Sequence, residues 1–181
     1  MYHANRAGAI AALALPDIRE IWPMYENMVD VLIYLYENYL DGENQPPADQ
    51  DSLEEELSQA GFSNAEIRSA LRWLDELAEG AKVSPYHPYT ELAMRIYSDA
   101  ECAKLDTEAR GLLLFLEQSG ILDPRSRELV IDRVLAIEHP QVSVDEIKWV
   151  VLLVLMSRPG REDAFSQMED LVYDEAPPFL H

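Results

Sequence analysis

The stretch Glu146-Ile147-Lys148-Trp149-Val150-Val151-Leu152-Leu153-Val154-Leu155-Met156 decides how this chain is read. From Trp149 to Met156 it is apolar without a break, so as a helix it has no polar face and must be covered on nearly every side. Spanning a bilayer takes about 20 such residues, so this run is far too short to be transmembrane. Its β-branched content would also suit a central strand. The flanks decide the matter: Ser143-Val144-Asp145-Glu146 is a capping box, and Pro159-Gly160 is a helix stop. The spacing predicts a buried central helix, and with it an all-α fold.

The segments on either side carry the same signals. Arg161 to Tyr173 reads as a last amphipathic helix with Phe165, Met168 and Val172 inward. Upstream, Asp123-Pro124 supplies an N-cap and a first-turn proline for a helix to about Ile137, with Val130, Ile131, Val134 and Leu135 inward. Ser98-Asp99-Ala100-Glu101 caps a short helix through Leu105, and Asp106 or Thr107 starts another that reaches Gln118 and stops at Gly120. Its Leu112-Leu113-Leu114-Phe115-Leu116 is again apolar nearly all round, which predicts a place beside the central helix. Residues 98–175 thus form a C-terminal helical lobe, followed by a tail at 176–181.

Residues 81–97, with Pro85, Tyr86, His87, Pro88 and Tyr89, have no helical period. They predict an aromatic linker that ends in a short extended segment, Met94-Arg95-Ile96-Tyr97. Residues 24–80 form an N-terminal lobe. Its first helix runs from about Met24 to Leu40, with Val29, Leu32, Ile33, Tyr36 and Leu40 on one side. A helical hairpin follows. Ser52-Leu53-Glu54-Glu55 is a capping box for a helix with Leu53, Leu57 and Ala60 inward, stopped by Gly61. Phe62 precedes a second box, Ser63-Asn64-Ala65-Glu66. The helix after it places Ile67, Ala70, Leu71, Leu74 and Leu77 inside, can pair Arg72 with Glu76, and closes at Gly80. Residues 1–23, with the Ala/Leu-rich run Ala7 to Leu15 and then Pro16 and Pro23, fit neither lobe. They read as a poorly ordered N-terminal extension from an upstream start codon, with Met24 or Met28 as the true start.

At 181 residues and 48% hydrophobic, the chain can bury a sizeable core. The formal net charge is -20. Between 24 and 79, 2 basic and 14 acidic residues give -12; between 80 and 181, 10 and 18 give -8. Phosphate binding draws on clustered Lys and Arg, so this balance argues against a general DNA or RNA binder. The hairpin could be read as a DNA-binding helix-turn-helix, but its second helix offers only Arg68 and Arg72.

No catalytic motif is present. One cysteine excludes a disulfide framework and multi-cysteine metal sites, and fits a reducing cytosol. That thiol, Cys102, has no histidine close in sequence and reads as a half-buried structural residue. The histidines at 3, 87, 139 and 181 lack ligand spacing, so neither metal nor cofactor is expected. What stands out is a set of basic and aromatic residues against the acidic background: Arg95, Tyr97, Arg110, Lys148 and Trp149. They can form ion pairs at the edge of the interior, or rim a groove that binds a protein partner, since Trp, Tyr and Arg concentrate at binding hot spots.

Four segments in combination resemble the bacterial Smg protein family. They are 28–37 (MVDVLIYLYE), 94–106 (MRIYSDAECAKLD), 110–118 (RGLLLFLEQ) and 147–155 (IKWVVLLVL), and the likeness covers about Met28 to His181. The resemblance implies a domain of unknown function with no assigned catalytic residues. It also implies a genomic setting beside a DNA-processing protein of natural transformation and a topoisomerase-like protein. The Leu57-to-Leu74 hairpin is distantly similar to the three-helix units of RecX-type recombination regulators, which act on a protein filament. The expectation is a small acidic cytosolic adaptor or regulator that binds another protein, linked to DNA processing, with no catalysis and no membrane contact. The alternatives are a nucleic-acid-associated protein acting through the C-terminal lobe, and an enzyme with an unrecognised site.

Overall fold

The computed structural model describes residues 27–40, 47, 49–82 and 95–173. Among these it has eight α-helices and no strand. They are α1 (Met28–Leu35), α2 (Gln50–Gln59), α3 (Asn64–Lys82), α4 (Asp99–Lys104), α5 (Thr107–Gln118), α6 (Pro124–Leu135), α7 (Val144–Met156) and α8 (Glu162–Tyr173). The expectations for the extension at 1–23, the helical start at Met24, most of the linker and the tail at 176–181 lie outside the described residues.

The central helix is where the sequence places it. Ser143 caps α7 through the Glu146 amide while the Glu146 carboxylate returns to the Ser143 amide, and Gly160 reverses the chain beyond it at φ 81°. Every residue from Val150 to Leu155 is no more than 1% exposed. Helix α8 packs along one flank, α6 along another, and α5 also touches it. Trp149 and Met156, at the two ends of the apolar run, are half-buried.

Helix α1 is nearly as deeply buried: Val29, Val31, Leu32 and Tyr36 are at most 1% exposed, while Leu40 is exposed. After Leu35 the helix widens into a π-helical turn, Tyr36–Leu40. There the Tyr36 hydroxyl donates to Glu169 Oε1 at 2.7 Å, and its ring meets Trp149 edge-on at 5.4 Å. The start of α1 is fixed by Asn27. Its side-chain oxygen accepts from the Val29 and Asp30 amides, and its Nδ2 donates to Glu146 Oε1 at 3.2 Å. One carboxylate therefore joins the N-termini of α1 and α7.

Several expectations need correction. The cap of α2 is Asp49, whose carboxylate accepts from the Ser52 amide at 2.8 Å, so the helix starts earlier than the Ser52 box would place it. Gly80 does not end α3, which continues to Lys82. A Cβ at Gly80 would lie 3.0 Å from Leu129 Cδ1, a tight approach of α6 to α3 at this point. Glu76 is engaged by Arg133 across that same contact, at 2.7 Å, rather than by Arg72. Leu114 and Leu135 are exposed, because among the described residues no helix covers that side of α5 or of α6. Trp73, absent from the expected inner face of α3, is 2% exposed and donates its indole N–H to the Arg133 carbonyl at 2.9 Å.

Candidate functional site

The segment from Arg95 to Ser98 has no regular backbone structure, yet it is held firmly on both sides of Ile96. Arg95 makes a fork onto Glu101, at 2.6 and 3.0 Å, and a second onto Glu128, at 2.8 and 2.9 Å. Bidentate guanidinium–carboxylate pairs are the strong and directional form of the ionic hydrogen bond. Glu101 is in place because it closes the capping box of α4 with Ser98. Glu128 comes from the first turns of α6, where it also meets Arg127. Arg127, only 5% exposed, grips both oxygens of Glu117 on α5 at 2.6 and 2.7 Å. An alternating chain, Glu101–Arg95–Glu128–Arg127–Glu117, thus ties the irregular segment to α4, α6 and α5.

The electrostatics follow this geometry. Hydrogen bonds from Arg95 hold the Glu101 carboxyl down to about 2, and those to Glu101 and Glu128 raise the Arg95 guanidinium. For Arg127, burial works against the charge, but hydrogen bonds to Glu117 and Glu128 outweigh it and its pKa is raised. Burial likewise works to raise Glu128, and the two guanidinium groups overcome it. Tyr97 lies over this network: the Arg95 guanidinium sits 4.5 Å from its ring centroid and that of Arg110 5.9 Å. Burial pushes the Tyr97 hydroxyl up against the opposing pull of Arg95.

Of the five expected site residues, the structure brings Arg95, Tyr97 and Arg110 together. Lys148 and Trp149 sit elsewhere, in the first half of α7. Lys148 pairs with Asp145 at 3.4 Å, and Trp149 stacks edge-on between Tyr36 and Tyr173. Arg110 donates to Cys102 Sγ at 2.8 Å and to Thr107 Oγ1 at 3.3 Å. Cys102 is exposed, not half-buried: α4 is a six-residue helix that buries no residue of its own. Arg127, Glu117, Glu128 and Glu101 were not expected here. Arg127 stands three and four residues before Val130 and Ile131, on the inward stripe of α6, and that position was the available signal.

Between these anchored neighbours, Ile96 is 87% exposed. Two clefts lie away from this segment. One of about 180 Å³, lined by Met28, Arg72, Trp73, Glu76 and Glu138, is smaller than ordinary ligand pockets of roughly 300–1,000 Å³. The other, about 350 Å³ at the α7–α8 corner, includes Arg158 and Arg161, both of which are paired with Asp123. No group of His, Cys, Asp and Glu among the described residues has metal-site geometry. No helix among them is long and apolar enough to cross a membrane.

A family model described as "Protein of unknown function (DUF494)" matches residues 28–181. A "Protein Smg homolog" of Alkalilimnicola ehrlichii is 49% identical over 158 residues, 87% of this chain and 100% of the relative. This chain belongs to the Smg family. A second "Protein Smg homolog", from Halorhodospira halophila, shares 49% over the same length, and "Protein Smg" of Serratia proteamaculans shares 45% over 157 residues, 85% of this chain and 100% of that one. No solved structure matches this Smg-family chain.

Proposed function

We propose that this Smg-family protein is a non-enzymatic, acidic cytosolic adaptor or regulator that binds another protein, in the setting of DNA processing. The observation that carries the reading is Ile96. An irregular segment normally turns a large apolar side chain inward or carries a polar one. Here the residues on both sides are pinned, by two guanidinium forks and a stacked ring, and the isoleucine between them is held out at 87% exposure. A rigid apolar side chain flanked by Arg and Tyr has the composition of a binding hot spot.

The nucleic-acid alternative is weakened by where the cations go. Arg95, Arg127, Arg133, Arg158 and Arg161 all have carboxylate partners within the chain, which leaves little of the C-terminal positive charge for phosphates. The link to DNA processing rests on the genomic setting that the family resemblance implies.

The test is affinity capture from native cytosol with quantitative mass spectrometry, comparing the wild-type protein with Ile96→Asp. A protein retained by the wild type and lost from the variant, with both showing the same circular dichroism and Tm, supports the reading. Capture of no protein at all by the wild type overturns it.

A further inference from the structure

We propose that the partner presents a carboxylate next to an apolar side chain, and that Arg110 together with Ile96 and Leu114 receives them. This rests on the protein-binding reading above and adds to it the chemistry of the partner. The first observation is charge. Arg95 and Arg127 are each fully occupied by glutamates, whereas the partners of Arg110 are neutral: the Cys102 thiol, the Thr107 hydroxyl and the face of the Tyr97 ring. These contacts orient the guanidinium without cancelling its charge. In a chain of net charge -20, a half-buried cation placed beside neutral groups is a local inversion of sign. Its complement is an anion, and the planar fork of arginine suits a carboxylate.

The second observation is the apolar surface around it. Leu114 lies one turn beyond Arg110 on the same face of α5 and is 53% exposed, and Ile96 precedes the ring that Arg110 covers. Next to Arg110 in sequence, Gly111 is exposed in the interior of α5, and a Cβ there would meet nothing within 4 Å. Among the described residues nothing requires the glycine. A helix that omits a side chain on its outer face lets another backbone come close. The fitted occupant is a short segment of a partner protein carrying Asp or Glu beside Leu, Ile or Phe. A second copy of this chain is disfavoured by the repulsion between two bodies of charge -20.

The experiment is selection of a phage-displayed random dodecapeptide library on the full-length protein, followed by fluorescence anisotropy with a labelled winning peptide. Enriched peptides should carry an acidic residue next to an apolar one. Arg110→Ala should weaken binding about 10- to 100-fold, as loss of a charged hydrogen-bond partner does. Leu114→Ser and Ile96→Ser should weaken it as well, while Arg68→Ala on the exposed face of α3 should leave it unchanged. A charge-reversed pair, Arg110→Glu with lysine replacing the peptide's acid, should recover binding. Enrichment of basic peptides, or binding indifferent to Arg110 and Leu114, overturns the assignment. So does concentration-dependent dimerisation abolished by Ile96→Ser. If cytosolic capture finds an Ile96-dependent partner but peptides are not enriched for acid, the adaptor reading stands and only the partner chemistry fails.

Discussion

Arg127 joins α6 to α5 through one guanidinium. At 5% exposure it is charged inside the protein, and breaking a buried pair from one side costs about 3–5 kcal/mol because the remaining charge loses its partner. Glu117 and Glu128 keep side-chain exposures of 29% and 49%, so water can take over part of that role. Arg127→Ala should therefore destabilise the fold by about 2–3 kcal/mol in urea denaturation, and Arg127→Met, which keeps the packing of the stem, by less. Glu101 is the group whose titration matters most here. Its pKa is depressed on folding, to about 2, so it contributes stability above its unfolded value near 4.5 and loses it as pH falls from there toward 2. Glu101→Gln should be less stable than the wild type at pH 7, and the gap should shrink progressively between pH 4.5 and 2. Equal stability at neutral pH would show that the charge of Glu101 adds nothing to the fold.

At the level of helices, α5 combines a buried stripe with a bare outer face. Gly111→Ala should raise stability by about 1 kcal/mol, since an exposed glycine in a helix interior costs about that much relative to alanine. In a domain of this size that is a rise of roughly 2–4 °C in Tm. The same substitution should weaken partner binding if a backbone packs there, a division between stability and function that calorimetry and anisotropy on one variant can separate. Helix boundaries are legible from sequence where the cap and its reply lie three residues apart, as at Ser63/Glu66, Ser98/Glu101 and Ser143/Glu146. At α2 two candidate caps stand close together, and Asp49 prevails over Ser52. Gly80 reads as a stop, yet α3 runs on to Lys82, and its close neighbour there, Leu129, lies 49 positions away in sequence. The site is only partly legible for the same reason: Arg95 meets Glu128 across a separation of 33, and no local spacing encodes that pairing. Leu114 reads as core in a run of leucines, and only its exposure in the folded chain shows otherwise.

For the molecule as a whole, charge is the property that composition alone reveals most directly. A net -20 on 181 residues opposes compaction by self-repulsion, and salt screens it with a Debye length of about 10 Å at 0.1 M. The Tm should rise between 20 mM and 500 mM sodium chloride, because the ion pairs that salt would weaken are mostly half-buried and less exposed to screening. A falling Tm would mean that those pairs outweigh the repulsion. An acidic peptide docking at Arg110 must cross the same negative field, so its association rate should increase with salt while dissociation changes little. The shared carboxylate of Glu146 has a practical bearing on how recombinant versions are cut. A version opened at Met28 lacks Asn27, and so forfeits both the amide acceptor at the head of α1 and the tether to α7. One opened at Met24 retains both, and should melt a few degrees higher, in keeping with the ~1 kcal/mol that a helix cap contributes.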